Sequence, residues 1–322
     1  MSTQASTGVD RKVEPVDLAP SSGRFGEKAI VGWLFLCAVF SVLVTVGIVF
    51  ALAGPTIEFF RLVPFDRFFS TEEWAPTFAP PGFGVANVVV GTLNVTFWAL
   101  LIALPAGLGS AIWLSEYAGR RARKVVKPIL EVLEGVPTVA YGFFALTFVT
   151  PLLREYWPTW LPGDFGNPPG IFSAASAGLV MGVMIIPTVA SISQDAMSAV
   201  PSGLRQAAYG LGSTRMQVAT RVIVPAALSG IVASFILGAS RAIGETMIVL
   251  IAAGATPNLT FMPNESILTM TAFIGQSSTG DIAHGTITYY TVFAVGSLLF
   301  VMTFLMNLIS SLLVRRFREH YE

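Results

Sequence analysis

Six long apolar runs separated by short polar stretches set the pattern of this chain, near 29–53, 85–114, 129–149, 172–193, 223–253 and 287–314. Each is long enough to carry a helix across a bilayer, which takes ~20 residues. The pattern predicts an all-α integral membrane protein with six transmembrane helices. Interruptions are expected within it. Gly135-Val136-Pro137-Thr138 marks a break or kink in the third run, because proline cannot donate to the helix ladder. Gly178 and Gly182 in the fourth stand at the spacing that lets helices approach closely, a pair that chance readily produces in a chain with 30 glycines. Between the fifth and sixth runs, 266–274 is expected to form a short helix on or dipping into the outer leaflet.

Composition agrees with the pattern. Of 322 residues, 53% are hydrophobic and 12% charged, against ~25% charged in soluble domains. Net charge is zero, but 15 of the 19 Lys and Arg fall before the first run, in alternate loops and after the last run. By the positive-inside rule those segments are cytoplasmic, as are both termini. Residues 1–23 read as a disordered cytoplasmic tail, too long and too charged for a signal peptide, and 24–322 as the transmembrane domain. Five basic residues at 120–127 are explained by topology and attraction to lipid headgroups. Glu131 and Glu134 follow on the cytoplasmic shoulder, and Asp195 reads as a solvated helix end. The opposite loops are rich in Pro, Phe and Trp, which suits either interfacial anchoring or the docking of an external protein. Cys37, the single cysteine, permits no intrachain disulfide.

Two stretches carry candidate chemistry. The polar segment 202–225 holds Arg205, Arg215 and Arg221, with Gly210 and Gly212 where a helix would turn. It reads as a short amphipathic helix, a glycine break and a second helix entering the membrane. In the fifth run, Ser240-Arg241-Ala242-Ile243-Gly244-Glu245-Thr246 interrupts an otherwise uncharged stretch. On a continuous helix Arg241 and Glu245 share a face. An Arg at the centre of a lone span costs about 2.5–3.5 kcal/mol on insertion scales. Two readings stand: a structural ion pair, or an anion site in which the guanidinium fork holds a tetrahedral oxyanion. Glu245 would repel an anion unless the anion donates a proton, as hydrogen phosphate does and sulfate does not.

At Gln206-Ala207-Ala208, Gly212 and Val222-Ile223-Val224-Pro225 the chain resembles the EAA loop of importer-type ABC permeases, with Gln206 in place of the usual Glu. That resemblance implies the importer-type permease bundle and assigns Gln206, Ala207, Ala208, Gly212 and Pro225 to contact with a separate ATPase. Gln206 departs in chemistry, since a neutral amide cannot pair with a basic groove residue. The run Arg241 to Met247, Gly91-Thr92-Leu93, Leu114-Ser115-Glu116-Tyr117-Ala118, Gly135 to Thr138 and Ile186-Pro187 are similar to the permeases of the phosphate-specific (Pst) importer, PstC type above all. The resemblance covers about 24–318. It implies a sister permease of the PstA type, ATPase subunits of the PstB type and an external phosphate-binding protein of the PstS type. It also places Arg241 and Glu245, with Ser240 and Thr246, on the substrate path, in a multi-pass protein of the bacterial plasma (inner) membrane.

No Gly-x-x-x-x-Gly-Lys-Ser/Thr loop occurs, and no Lys follows a Gly anywhere. ATP and Mg are therefore expected in the partner ATPase, with no cofactor, metal or nucleic acid on this chain. His284 and His320, the two histidines, are far apart in sequence and support neither a metal cluster nor a nucleophile–base pair. The chain is thus expected to be a transport subunit without catalytic residues. A permease for another oxyanion, or a stand-alone secondary transporter or channel using Arg241 and Glu245, remain the alternatives. Internal inverted repeats would favour the latter, and no self-similarity between the halves supports them.

Overall fold

A computed structural model describes residues 25–280 and 282–317; the expected tail at 1–23 lies outside them. Most of the described residues are helical. They form two units, one ending at Phe50 and the other beginning at Ala51. The first is the leading part of helix α1 (Phe25–Leu62), in which every residue from 26 to 50 is exposed.

The second unit opens with the remainder of α1, the single turn α2 (Phe65–Phe68), and a two-residue hairpin, β1 (Trp74–Ala75) with β2 (Gly82–Phe83). The hairpin is antiparallel, with Trp74 opposite Phe83 and Ala75 opposite Gly82. Phe59, Phe60, Phe68 and Phe83 interlock edge to face at 5.2–5.7 Å between ring centroids. Such pairs add about 0.5–1.5 kcal/mol each beyond area burial. The aromatic loop therefore folds into a cap.

The centre of the unit is α3 (Ala86–Ile112), extended by a π-helical stretch at Trp113–Tyr117, packed along α7 (Ala174–Ser198). Small residues let the two backbones meet. A Cβ on Gly178 would lie 2.9 Å from Cβ of Trp98, and one on Gly182 would lie 2.8 Å from the Ala99 carbonyl oxygen. From the other side, Gly107 faces Val189 at 2.7 Å. The Gly178–Gly182 spacing is thus used as the sequence allows.

Between these helices, α4 (Arg120–Glu134) turns through 89° at Gly135–Pro137 into α5 (Thr138–Phe144), which continues through a π-helical stretch at Ala145–Val149 into α6 (Thr150–Glu155). The break anticipated at Gly135–Thr138 is thus close to a right angle. After α7 come α8 (Ser202–Gly210) and α9 (Arg215–Val218), then a π-helical stretch at Ala219–Ile223 and α10 (Val224–Ala226). A second bend of 74° leads into α11 (Leu228–Gly244). The chain continues as α12 (Met247–Ala252), α13 (Met270–Thr279) and α14 (Ile287–Phe317).

Among the described residues four helices are long and apolar enough to cross a membrane, or up to six if each bent pair is one span. The fifth apolar run departs from expectation in a specific way. It was expected to be one helix over 223–253; instead it bends at Ala227 and stops at Gly244 before restarting at Met247. The short helix expected at 266–274 begins later, at Met270, because the Thr269 hydroxyl accepts from the Ala272 N–H at 3.1 Å and caps it there. Met270 N–H in turn donates to the Thr92 hydroxyl at 3.0 Å, docking α13 on α3.

Candidate functional site

The Arg241 side chain stands one turn before the end of α11 and meets two residues far away in sequence. Its Nη1 donates to Glu134 Oε1 at 2.8 Å and to the Thr188 hydroxyl at 2.7 Å. The Thr188 hydroxyl donates a hydrogen bond to the same Glu134 oxygen, also at 2.8 Å. Three elements, α4, α7 and α11, thus converge on a closed triangle of hydrogen bonds. Thr188 is buried, whereas the side chains of Arg241 and Glu134 remain 29% and 40% exposed. Nε and Nη2 of Arg241 have no partner among the described residues. The charged group is balanced yet still reachable from solvent.

Glu245 does not share that face. The expectation that it pairs with Arg241 assumed an unbroken helix, and α11 ends one residue earlier. Glu245 takes extended angles (φ −67°, ψ 132°) and its side chain turns to cap the next segment. Its Oε1 accepts from the N–H groups of Met247 at 2.9 Å and Ile248 at 3.3 Å. Those donors open α12 and have no partner within the helix. The Thr271 hydroxyl donates to the Glu245 carbonyl at 2.7 Å. Glu245 is therefore buried at 9% exposure and serves the helix break. Ser240 and Thr246 are separated as well. Ser240 donates to Asn307 Oδ1 at 3.1 Å and ties α11 to α14, while the Thr246 methyl carbon faces Gly275 on α13.

The segment 202–225 forms the two helices expected, with the turn between them at Gly212, whose φ is +79°. L side chains rarely adopt that angle. The Gly212 N–H donates to the Tyr209 carbonyl and that of Ser213 to the Ala208 carbonyl, closing the end of α8. Thr214 and Gln217 then open α9 with a reciprocal capping box. Gln206 and Ala207 are exposed, whereas Ala208 is buried in a small core with Ala111, Met197, Val218, Ile223 and Ile231. Pro225 is exposed, at the entrance to the 74° bend.

An ion pair fastens this segment to the bundle. Arg205 on α8 donates to Glu116 Oε1 at 3.2 Å and to the carbonyls of Met197 at 2.6 Å and Val200 at 2.7 Å. The Glu116 side chain is 5% exposed, and the Ser115 hydroxyl also donates to it. Arg123 donates to the Ser115 carbonyl, which joins α4 to the same knot. Lys127 and Asp195 make a more exposed bridge between α4 and α7 at 3.2 Å, so Asp195 has a partner rather than solvent alone.

The profile of binding-protein-dependent transport system inner membrane components matches residues 103–319. The chain belongs to this family. Its similarity to a probable ABC transporter permease protein of Bacillus subtilis is 34% identity over 85% of this chain and 86% of the relative. Proteins named phosphate transport system permease protein PstC are similar too. That of Pasteurella multocida is 32% identical over 88% of this chain and 89% of its own length, and that of Haemophilus influenzae 34% identical over 74% and 78%. Among solved structures, a bacterial ABC transporter involved in the import of alginate has a chain that superposes with a TM-score of 0.60 at 16% identity, over 92% of this chain and all of that one. That likeness concerns the fold.

In this permease, then, Gln206, Ala207 and Arg241 lie on structured positions with exposed surface, whereas Ala208 is buried, and the partners of Arg241 were not visible in the sequence. Glu134 stood out only as an acid beside the Gly-Val-Pro break, and Thr188 as one of many hydroxyls in an apolar run. Glu116 and Arg205 lie in two motifs that the sequence gives no reason to join.

Proposed function

We propose that this permease is the transmembrane subunit of an ATP-driven importer of inorganic phosphate. It crosses the bacterial plasma (inner) membrane six times with both termini cytoplasmic. Arg241 carries the reading: a guanidinium in the middle of the fifth apolar run, held by Nη1, with Nε and Nη2 free of partners among the described residues and the side chain 29% exposed. A guanidinium fork suits two oxygens of a tetrahedral anion, and relatives named as phosphate permeases support phosphate as that anion.

The engine is a separate ATPase of the PstB type, which would hold ATP and Mg. Its contact is the 202–225 segment, through Gln206, Ala207 and the turn at Gly212, with Pro225 where the segment bends into α11. Leu211 and Met216, 87% and 62% exposed, supply apolar area flanking that turn. A sister permease of the PstA type completes the path, and an external binding protein of the PstS type delivers phosphate. Lipid covers the remaining apolar faces.

Labelled-phosphate uptake in cells lacking only this gene, with and without complementation and with unlabelled sulfate as competitor, tests the reading. Uptake is expected to be lost, restored by the gene and resistant to sulfate. Complementation with Arg241→Ala is expected to leave the complex assembled and uptake abolished. Unchanged uptake on deletion, or uptake suppressed by sulfate, would remove phosphate as substrate.

A further inference from the structure

The geometry points to Glu134 as the specificity-determining counter-anion of the path, an inference that rests on Arg241 being the anion contact proposed above. Glu134 holds Nη1 of Arg241 through one oxygen and leaves Nε and Nη2 to a substrate. Beside it, the free edge of the guanidinium favours an oxyanion that brings a hydrogen-bond donor of its own.

Glu134 stands where helix electrostatics disfavour it. It is the last residue of α4, and a helix C-terminus carries a partial negative charge that repels carboxylates. What offsets this is on the other side of the bend: Nη1 of Arg241 and the hydroxyl of Thr188, both on one oxygen, Oε1. The second oxygen, Oε2, accepts no bond among the described residues. The backbone beneath it is fixed, since the Tyr141 hydroxyl on α5 donates to the Leu133 carbonyl at 2.9 Å across the break. The carboxylate is therefore held on a braced corner, with one oxygen on the cation and one unused.

An anion that takes Nε and Nη2 of Arg241 arrives beside that unused acceptor. Hydrogen phosphate keeps a P–OH that donates to Oε2, turning a repulsive neighbour into a partner. Sulfate at neutral pH has no proton, so its oxygens face a carboxylate with nothing between them, and like charges so placed disfavour binding. A pair that served structure alone would give no such discrimination.

The test uses the purified whole transporter complex without its external binding protein, so that only the path selects. Binding of labelled orthophosphate and labelled sulfate is titrated by equilibrium dialysis for wild type, Glu134→Gln, Glu134→Asp and Arg241→Ala, with assembly checked by gel filtration. Wild type is expected to prefer phosphate. In Glu134→Gln sulfate binding should strengthen by at least about tenfold, or ~1.4 kcal/mol, while phosphate changes less, so that the preference collapses. Glu134→Asp, which retains the charge, should keep most of it. An unchanged phosphate-to-sulfate ratio in Glu134→Gln, or equal loss of both anions in an assembled complex, overturns the role of Glu134. If Arg241→Ala still abolishes binding in that case, the anion contact stands without it. Full binding to Arg241→Ala, or no binding of either anion to any form, overturns both.

Discussion

At Gly212 the cost of a side chain is purely a matter of backbone angle. The residue sits at φ +79° with nothing within 4 Å of where a Cβ would lie, so no neighbour need move. Left-handed geometry costs an L residue about 1–2 kcal/mol, less for Asn, whose short polar side chain tolerates it. Gly212→Val is therefore expected to reduce the ATPase retained on co-purification by about tenfold, the equivalent of ~1.4 kcal/mol, and Gly212→Asn to reduce it far less. Equal retention by both variants would show that the turn is not part of that contact. Gly212 was legible because its requirement is local. Arg241 was legible for a related reason, since a charge in an apolar run stands out whatever surrounds it. Its partner was not, because the nearest acid in sequence, Glu245, competes on paper with an acid 107 positions away, Glu134. The choice depends on a helix end three residues past Arg241.

That helix end belongs to the scale of elements. Nothing in Gly244-Glu245-Thr246 forbids a continuing helix, and there is no proline. The break holds because Glu245 gives α12 an acceptor for its first donors and Thr271 supplies a donor to the Glu245 carbonyl. Both exchanges replace ladder bonds that continuity would have made. One of them comes from α13, a separate element, so no local pattern could announce it. The bend at Gly135–Pro137 was announced, by proline, although its 89° angle was not. The contact of α3 with α7 lies between these cases. The Gly178 and Gly182 spacing was visible, and only the structure adds that Ala99 and Trp98 fill the space. Gly182→Leu would drive side-chain atoms into the Ala99 backbone, where overpacking costs typically ~1–3 kcal/mol. The thermal midpoint of the purified complex should fall, and should fall less for Gly182→Ala. No fall for Leu would mean the two helices separate easily.

For the whole molecule, the arrangement that joins the proposed ATPase contact to the bundle is the knot of Arg205, Glu116 and the carbonyls of Met197 and Val200. It ties α8 to the ends of α3 and α7, the same two helices that form the centre, and α7 carries Thr188 of the triangle with Arg241 and Glu134. Motion of α8 therefore has a route to that triangle, from the Arg205 side chain to the Met197 carbonyl and along the α7 backbone to Thr188. Removing one member of a buried pair costs about 3–5 kcal/mol, so Arg205→Ala should lower the thermal midpoint. In reconstituted vesicles it should also lower phosphate moved per ATP hydrolysed, and Arg205→Lys should fall between. A destabilised complex with an unaltered transport-to-hydrolysis ratio would restrict the knot to holding the fold. The first helix brings a consequence of another kind. Residues 30–50 are mostly apolar, so the stability of that stretch depends on the medium that replaces water around it. Acyl chains and micelles differ in thickness and curvature, and extraction with detergent is the perturbation this stretch should register before heat does. The glycine seam between α3 and α7 draws its contacts from its own chain, and should pass from bilayer to micelle unchanged.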